Sequence, residues 1–125
     1  MITLTLPIRL VNLSNERSHW SKKAKRAKEQ RGLVALALRA KAKSTPLPIH
    51  VCITRIGPRF LDSHDNLPIS AKHVADSIAE VYGIPDNSPL ISFEYAQQKG
   101  AYGVLIQIES HAMADALMAA RERKT

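Results

Sequence analysis

Apolar and polar positions follow two rhythms along this chain. Residues 1–10 alternate strictly, with Ile2, Leu4, Leu6, Ile8 and Leu10 on one side and Thr3, Thr5 and Arg9 on the other. A period of two predicts a half-buried strand, because successive side chains leave opposite faces of the pleat. Pro7 has no N–H to give to a ladder, so it predicts a sheet edge or the end of the strand. The polar stretch 12–15 carries cap residues, with Ser14 or Ser18 the expected helix N-cap. From there to about residue 43 the rhythm becomes helical. Trp20, Ala24, Ala27, Val34 and Leu38 lie on one stripe, supported by Leu33, Ala37 and Ala40, and Gly32 predicts a bend or a close contact. Two prolines, Pro46 and Pro48, then end the helix.

The period of two returns over residues 49–56, where Ile49, Val51 and Ile53 alternate with His50, Cys52 and Thr54. Gly57-Pro58 interrupts this strand, and residues 59–65 read as extended chain or loop. Pro68 fits the first turn of a second helix running to about Tyr82, with an apolar face of Ala71, Val74, Ala75, Ile78, Val81 and Tyr82. Gly83 is its expected C-terminal stop. Residues 91–98 and 102–109 read as two strands joined through Lys99-Gly100-Ala101, hence a hairpin. Residues 112–123 close the chain as a short amphipathic helix. The order β-α-β-α-β-β-α predicts an α+β fold: a single domain over residues 1–125, with helices packed on a mainly antiparallel sheet.

Composition changes this picture in one respect. Eighteen Lys plus Arg stand against eleven Asp plus Glu, a formal charge of +7, which favours phosphate backbones or anionic lipid surfaces. Cys52 is the sole cysteine, which excludes an intrachain disulfide and a multi-thiolate zinc site; a small buried hydrophobe is its expected role. No apolar run has the length of a membrane span and no export signal opens the chain, so a cytoplasmic location is expected and a membrane partner is not.

Two charge features stand above this background. Arg17, Lys22, Lys23, Lys25, Arg26, Lys28 and Arg31, with only Glu29 among them, cover the first helix outside its apolar stripe. Such a surface can follow a phosphate backbone, or it can simply be a solvated face. The second feature is acidic. Asp62-Ser63-His64-Asp65-Asn66-Leu67 leads into the second helix, and Asp86 follows that helix in Gly83-Ile84-Pro85-Asp86-Asn87. Carboxylates suit Mg²⁺, which takes one or two of them and keeps its remaining waters. Asp and Asn before a helix are equally ordinary as caps, and Asp86-Asn87 fits a turn, so both readings stand. Lys72, Asp76 and Glu80 recur every four residues opposite the apolar face, either as a charge ladder or with Lys72 aimed at a phosphate. His64 could add a nitrogen ligand or a proton-transfer group, whereas His50 and His73 read as packing or surface residues. No phosphate-binding glycine loop, nucleophile elbow or Cys-His pair is present, and no small-molecule cofactor is expected.

Taken in order, Asp62-Ser-His-Asp65-Asn66-Leu67, Lys72-x-x-x-Asp76-x-Ile78 and Gly83-x-x-Asp86-Asn87 resemble the RusA-like family of Holliday junction resolvases, of phage or prophage type. The polar approach to a basic helix over residues 12–20 is similar to the family's N-terminal region. The resemblance implies a homodimeric endonuclease that cuts branched DNA, such as a four-way junction, by paired nicks, using Mg²⁺ or Mn²⁺ in its place. It also implies that Asp62, Asp65 and Asp86 bind the metal and that Lys72 is the essential lysine. The family's commoner pattern has one residue between the first two aspartates, where Ser63 and His64 stand here. Its lysine usually comes four residues after the second aspartate, where Lys72 comes seven after Asp65. These departures leave a non-catalytic nucleic-acid-binding module of the same fold as the alternative.

Overall fold

A computed structural model gives the fold and describes residues 1–10, 20–61 and 66–112, the Trp20 side chain excepted. The elements follow the order β1 (Ile2–Leu6), α1 (Trp20–Leu38), a 3₁₀ turn (Ala42–Ser44), β2 (Ile49–Gly57), α2 (Asn66–Ser70), α3 (Lys72–Val81), β3 (Ile91–Lys99) and β4 (Gly103–Ser110). The four strands form one sheet in the order β1-β4-β2-β3. Two pairings are antiparallel, β1 with β4 and β4 with β2, and one is parallel, β2 with β3. The fold is therefore α+β with a mixed, mainly antiparallel sheet.

Period-two patterning decides which face of the sheet is covered. Ile2, Leu4, Val51, Ile53, Ile91, Ile106 and Ile108 turn to the same side and share a core with Val34 and Leu38 of α1 and Val74, Ala75, Ile78 and Ala79 of α3. Burying each of the larger of these side chains contributes about 1.5–3 kcal/mol. Thr3, Thr5, Ser92, Glu94 and Gln98 point to the opposite face and are exposed. Cys52 lies on that face, half-buried, rather than in the core.

Three expectations need correction. The hairpin does not form: β3 and β4 are separated by β2, which pairs with both. The three-residue link between them has the length of a hairpin loop, but it crosses the end of β2, where the Gly100 N–H donates to the Gly57 carbonyl at 3.2 Å. A Cβ on Gly100 would lie 3.0 Å from Ile56 Cγ2, a tight contact that a glycine there avoids. Parallel pairing of β2 with β3 then requires a crossover, supplied by α2 and α3.

The second correction concerns α1, which ends at Leu38 and continues without a break through Gly32. Its buried positions are Gln30, Val34 and Leu38, while Ala24, Leu33 and Ala40 are exposed. The run 20–31 holds so many cations and alanines that its apolar stripe is poorly defined, and a buried glutamine marks the inward side instead. Third, the second helix is two helices, divided at Ala71, whose N–H is shared between the Leu67 and Pro68 carbonyls. The expected C-terminal helix, the N-cap serines and Arg17 lie outside the described residues.

Candidate metal and nucleic-acid site

Strand β3 organises the site. Its alternation puts Ile91, Phe93, Tyr95 and Gln97 on the helix-covered side, with the Phe93 and Tyr95 rings stacked 6.4 Å apart. Burial pushes the Tyr95 phenol above its ordinary range, and the negative charges of Asp76 and Asp86 push it further the same way. Carboxylates from two different segments thus act electrostatically on this half-buried hydroxyl. Two residues along, Gln97 clamps the chain just before Asp62. Its Nε2 donates to the Leu61 carbonyl and its Oε1 accepts from the Leu61 N–H, both at 2.7 Å. Tyr95 and Gln97 lie about 7 Å apart on one face of the strand.

Asp86 owes its place to the end of α3. Gly83 has φ +72°, a left-handed conformation costly for any residue with a Cβ. The Ile84 N–H returns to the Ala79 carbonyl at 3.1 Å and the Gly83 N–H to the Glu80 carbonyl at 2.9 Å. These two bonds form a Schellman motif and fulfil the expected stop at Gly83. The chain is turned sharply, so Asp86 comes back beside Asp76 and Glu80 in an open cleft of about 370 Å³ floored by Ala79 and Ile84. Asp86 is exposed and makes no hydrogen bond or ion pair among the described residues.

Asp76 is engaged. Arg31 Nη2 meets its Oδ2 at 3.3 Å, and Arg31 Nη1 lies 3.8 Å from Glu80 Oε2. The Ser77 hydroxyl donates to the Arg31 carbonyl at 3.0 Å, which fixes α1 against α3 at this level. The anticipated ladder is accordingly replaced: the two acids answer to α1, and Lys72 stands exposed at the start of α3 without a partner among the described residues. His73 is half-buried, with an unpartnered Nδ1. Desolvation lowers its pKa from the usual histidine value; Arg31 and Lys72 lower it further, while Asp76 opposes them.

The structure therefore brings Asp76 and Asp86 together and sets Lys72 one helical turn before Asp76. Asp62, His64 and Asp65 lie outside the described residues. Among the described residues no three His, Cys, Asp or Glu side chains are close enough to hold a metal ion. The donors present are carboxylate oxygens, the type a hard dication prefers, and Asp86 is free to serve. On α1, Lys22, Lys25, Lys28 and Arg31 are exposed and Lys23 and Arg26 half-buried, so most of the expected basic surface faces outward.

Sequence reasoning passed over Tyr95, Gln97 and Arg55. Arg55 is buried at the end of β2, where its Nε donates to the Leu10 carbonyl at 3.0 Å and its Nη1 to the Arg59 carbonyl at 2.6 Å. A charged residue on the core side of an apolar strand was the available signal, since such a group persists only when it is bonded. No family model matches the chain, and no curated protein matches it. Among the described residues, no helix is long and apolar enough to cross a membrane.

Proposed function

We propose that this protein is a Mg²⁺-dependent, structure-specific DNA endonuclease of the RusA-like kind, a cytoplasmic homodimer that cuts four-way junctions and related branched DNA. The observation carrying this reading is the cleft at the end of α3, where Asp76 and Asp86 line one opening, together with the grip of Gln97 on Leu61, the residue before Asp62. Asp62, Asp65 and Asp86 would hold the metal, whose bound charge offsets the charge that builds on a phosphodiester under attack. The remaining work belongs to the chain. Lys72, exposed and without an ion-pair partner among the described residues, presents its ammonium to a phosphate oxygen. Tyr95 stays protonated beside the carboxylates, so it adds no negative charge to the site. Arg31 neutralises Asp76, which limits repulsion of the polyanionic substrate. Lys22, Lys25 and Lys28 take up backbone phosphates outside the cleft.

A two-fold dimer would present two such sites to the two strands that a symmetric resolution must cut. The deciding experiment replaces Asp65 and Asp86 together by asparagine. Cleavage of a junction is expected to disappear while binding persists, and full cleavage by the double variant would refute the assignment. The alternative, a non-catalytic nucleic-acid-binding module, draws on the grip of Arg31 on Asp76, which takes one acid out of reach of a metal. It predicts binding that is sensitive to salt, indifferent to chelators and never followed by strand scission.

A further inference from the structure

Gly32 is the puzzle from which this inference starts. It sits in the middle of a nineteen-residue helix, where glycine is the worst non-proline choice. The helix continues through it, and a Cβ built there would meet nothing within 4 Å. The fold therefore gives no packing reason for a glycine at this position. What it faces is open space: the trough between α1 and α3, about 670 Å³, whose lining includes Lys28, Arg31, Gly32, Ala35, Arg39 and Glu80.

The spacing 28, 32, 35, 39 puts Lys28, Gly32 and Ala35 in one row along α1, and Arg39, just past its end with its N–H donating to the Ala35 carbonyl at 3.0 Å, continues the row, so that cations stand at both ends and the two small residues between them. Lys28 and Arg39 are exposed and form no ion pair among the described residues. Arg31 is spoken for by Asp76 and Glu80, so the single acid lining the trough is already partnered. At the helical rise, the eleven positions from Lys28 to Arg39 span about 16 Å. One strand of a duplex passes a phosphate about every 3.4 Å of axis, so that length spans several.

We infer that this trough is a track for one backbone strand of DNA, with Lys28 and Arg39 neutralising phosphates at its two ends and Gly32 leaving room for the strand to approach the helix closely. The inference rests on the nucleic-acid reading above and adds to it a place, a direction along α1 and a residue, Arg39, outside the basic run.

The test uses the full chain and a fluorescent four-way junction, followed by anisotropy in EDTA so that cleavage plays no part. Gly32→Gln is expected to weaken binding at least tenfold. Lys28→Gln/Arg39→Gln is expected to do the same and to reduce the slope of log affinity against log salt by about two. Gly32→Ala is expected to raise the melting temperature, which shows that the glycine serves something other than the fold. Wild-type affinity in Gly32→Gln and in the double variant would overturn the track while leaving the nuclease reading intact. A fall in melting temperature for Gly32→Ala would overturn the argument from Gly32. Absence of any junction binding by the wild type at low salt would overturn the track and the nucleic-acid reading together, whereas binding with these dependences but no Mg²⁺-dependent cleavage would remove the nuclease alone.

Discussion

Replacing Gln97 by leucine separates the clamp on Leu61 from everything else the strand does. Gln97 is half-buried at the edge of the sheet, and its amide makes two bonds to the Leu61 backbone, each 2.7 Å long. A typical intramolecular hydrogen bond contributes about 0.5–1.5 kcal/mol net, so losing both costs about 1–3 kcal/mol. Leucine keeps similar bulk over the core, so little of the loss comes from packing. For a chain of 125 residues each kcal/mol lowers the melting temperature by about 3–4 °C, and the expected fall is about 3–12 °C. The functional effect should exceed what stability alone explains. Freeing Leu61 loosens the approach to Asp62, and a misplacement of about 1 Å at a reacting centre can cost on the order of a hundredfold in rate. Calorimetry and single-turnover junction cleavage, both at a temperature where the variant is fully folded, measure the two effects separately. Gln97→Glu keeps the acceptor for the Leu61 N–H, sets a carboxylate against the Leu61 carbonyl, and should be no better than leucine. A variant that melts lower yet cleaves at the wild-type rate would refute the claim that the clamp positions the acidic segment.

Other perturbations test neighbouring parts of the account. Gly83→Ala puts a Cβ on a residue at φ +72°, so it should cost about 1–2 kcal/mol and shift the Asp86 turn, measurable by denaturant melts alongside Mg²⁺ titration. Arg55→Met leaves the buried Leu10 carbonyl and the partly buried Arg59 carbonyl without their donor and should cost about 1–3 kcal/mol in the same melts. His73 has a folded-state pKa below its unfolded one, chiefly through desolvation, so the unfolded chain takes up its proton first as pH falls. Its stabilising contribution is complete above the usual histidine range, near pH 6.5, and is lost as pH drops from there through the folded value. Wild type should therefore lose more stability than His73→Phe between about pH 7.5 and 5, and equal losses would contradict the assignment.

Much of the fold is legible from the hydrophobic rhythm. The strands at residues 49 and 91, the helix over the Val74–Ile78 face and the stop at Gly83 all follow from local pattern, because each is set by burial of one face or by one special dihedral. The order of strands does not follow from it. Residues 100–102 are as short as a hairpin loop, and only the presence of β2 between the flanking strands, bonded to both, makes them a crossing. The inward side of α1 was hidden for another reason: alanine and lysine tolerate either face of a helix, and the position that decides, Gln30, is polar. In the site, Asp86 announces itself by its place after a helix stop. Tyr95 and Gln97 do not, since their roles depend on the β2–β3 pairing and on segments distant in the chain, Leu61 for Gln97 and Asp76 and Asp86 for Tyr95. Arg31 reads as one more cation of the basic helix until α3 is packed beside it and Asp76 comes within reach.

The most direct test of the central claim is cleavage of an end-labelled four-way junction by the intact protein, with Mg²⁺ and with EDTA, beside linear duplex of the same sequence. The account predicts paired, symmetric nicks in the junction with Mg²⁺ alone and none in the duplex. Tight, salt-sensitive binding without scission in Mg²⁺ or Mn²⁺ would contradict it and return Asp86 to an ordinary turn.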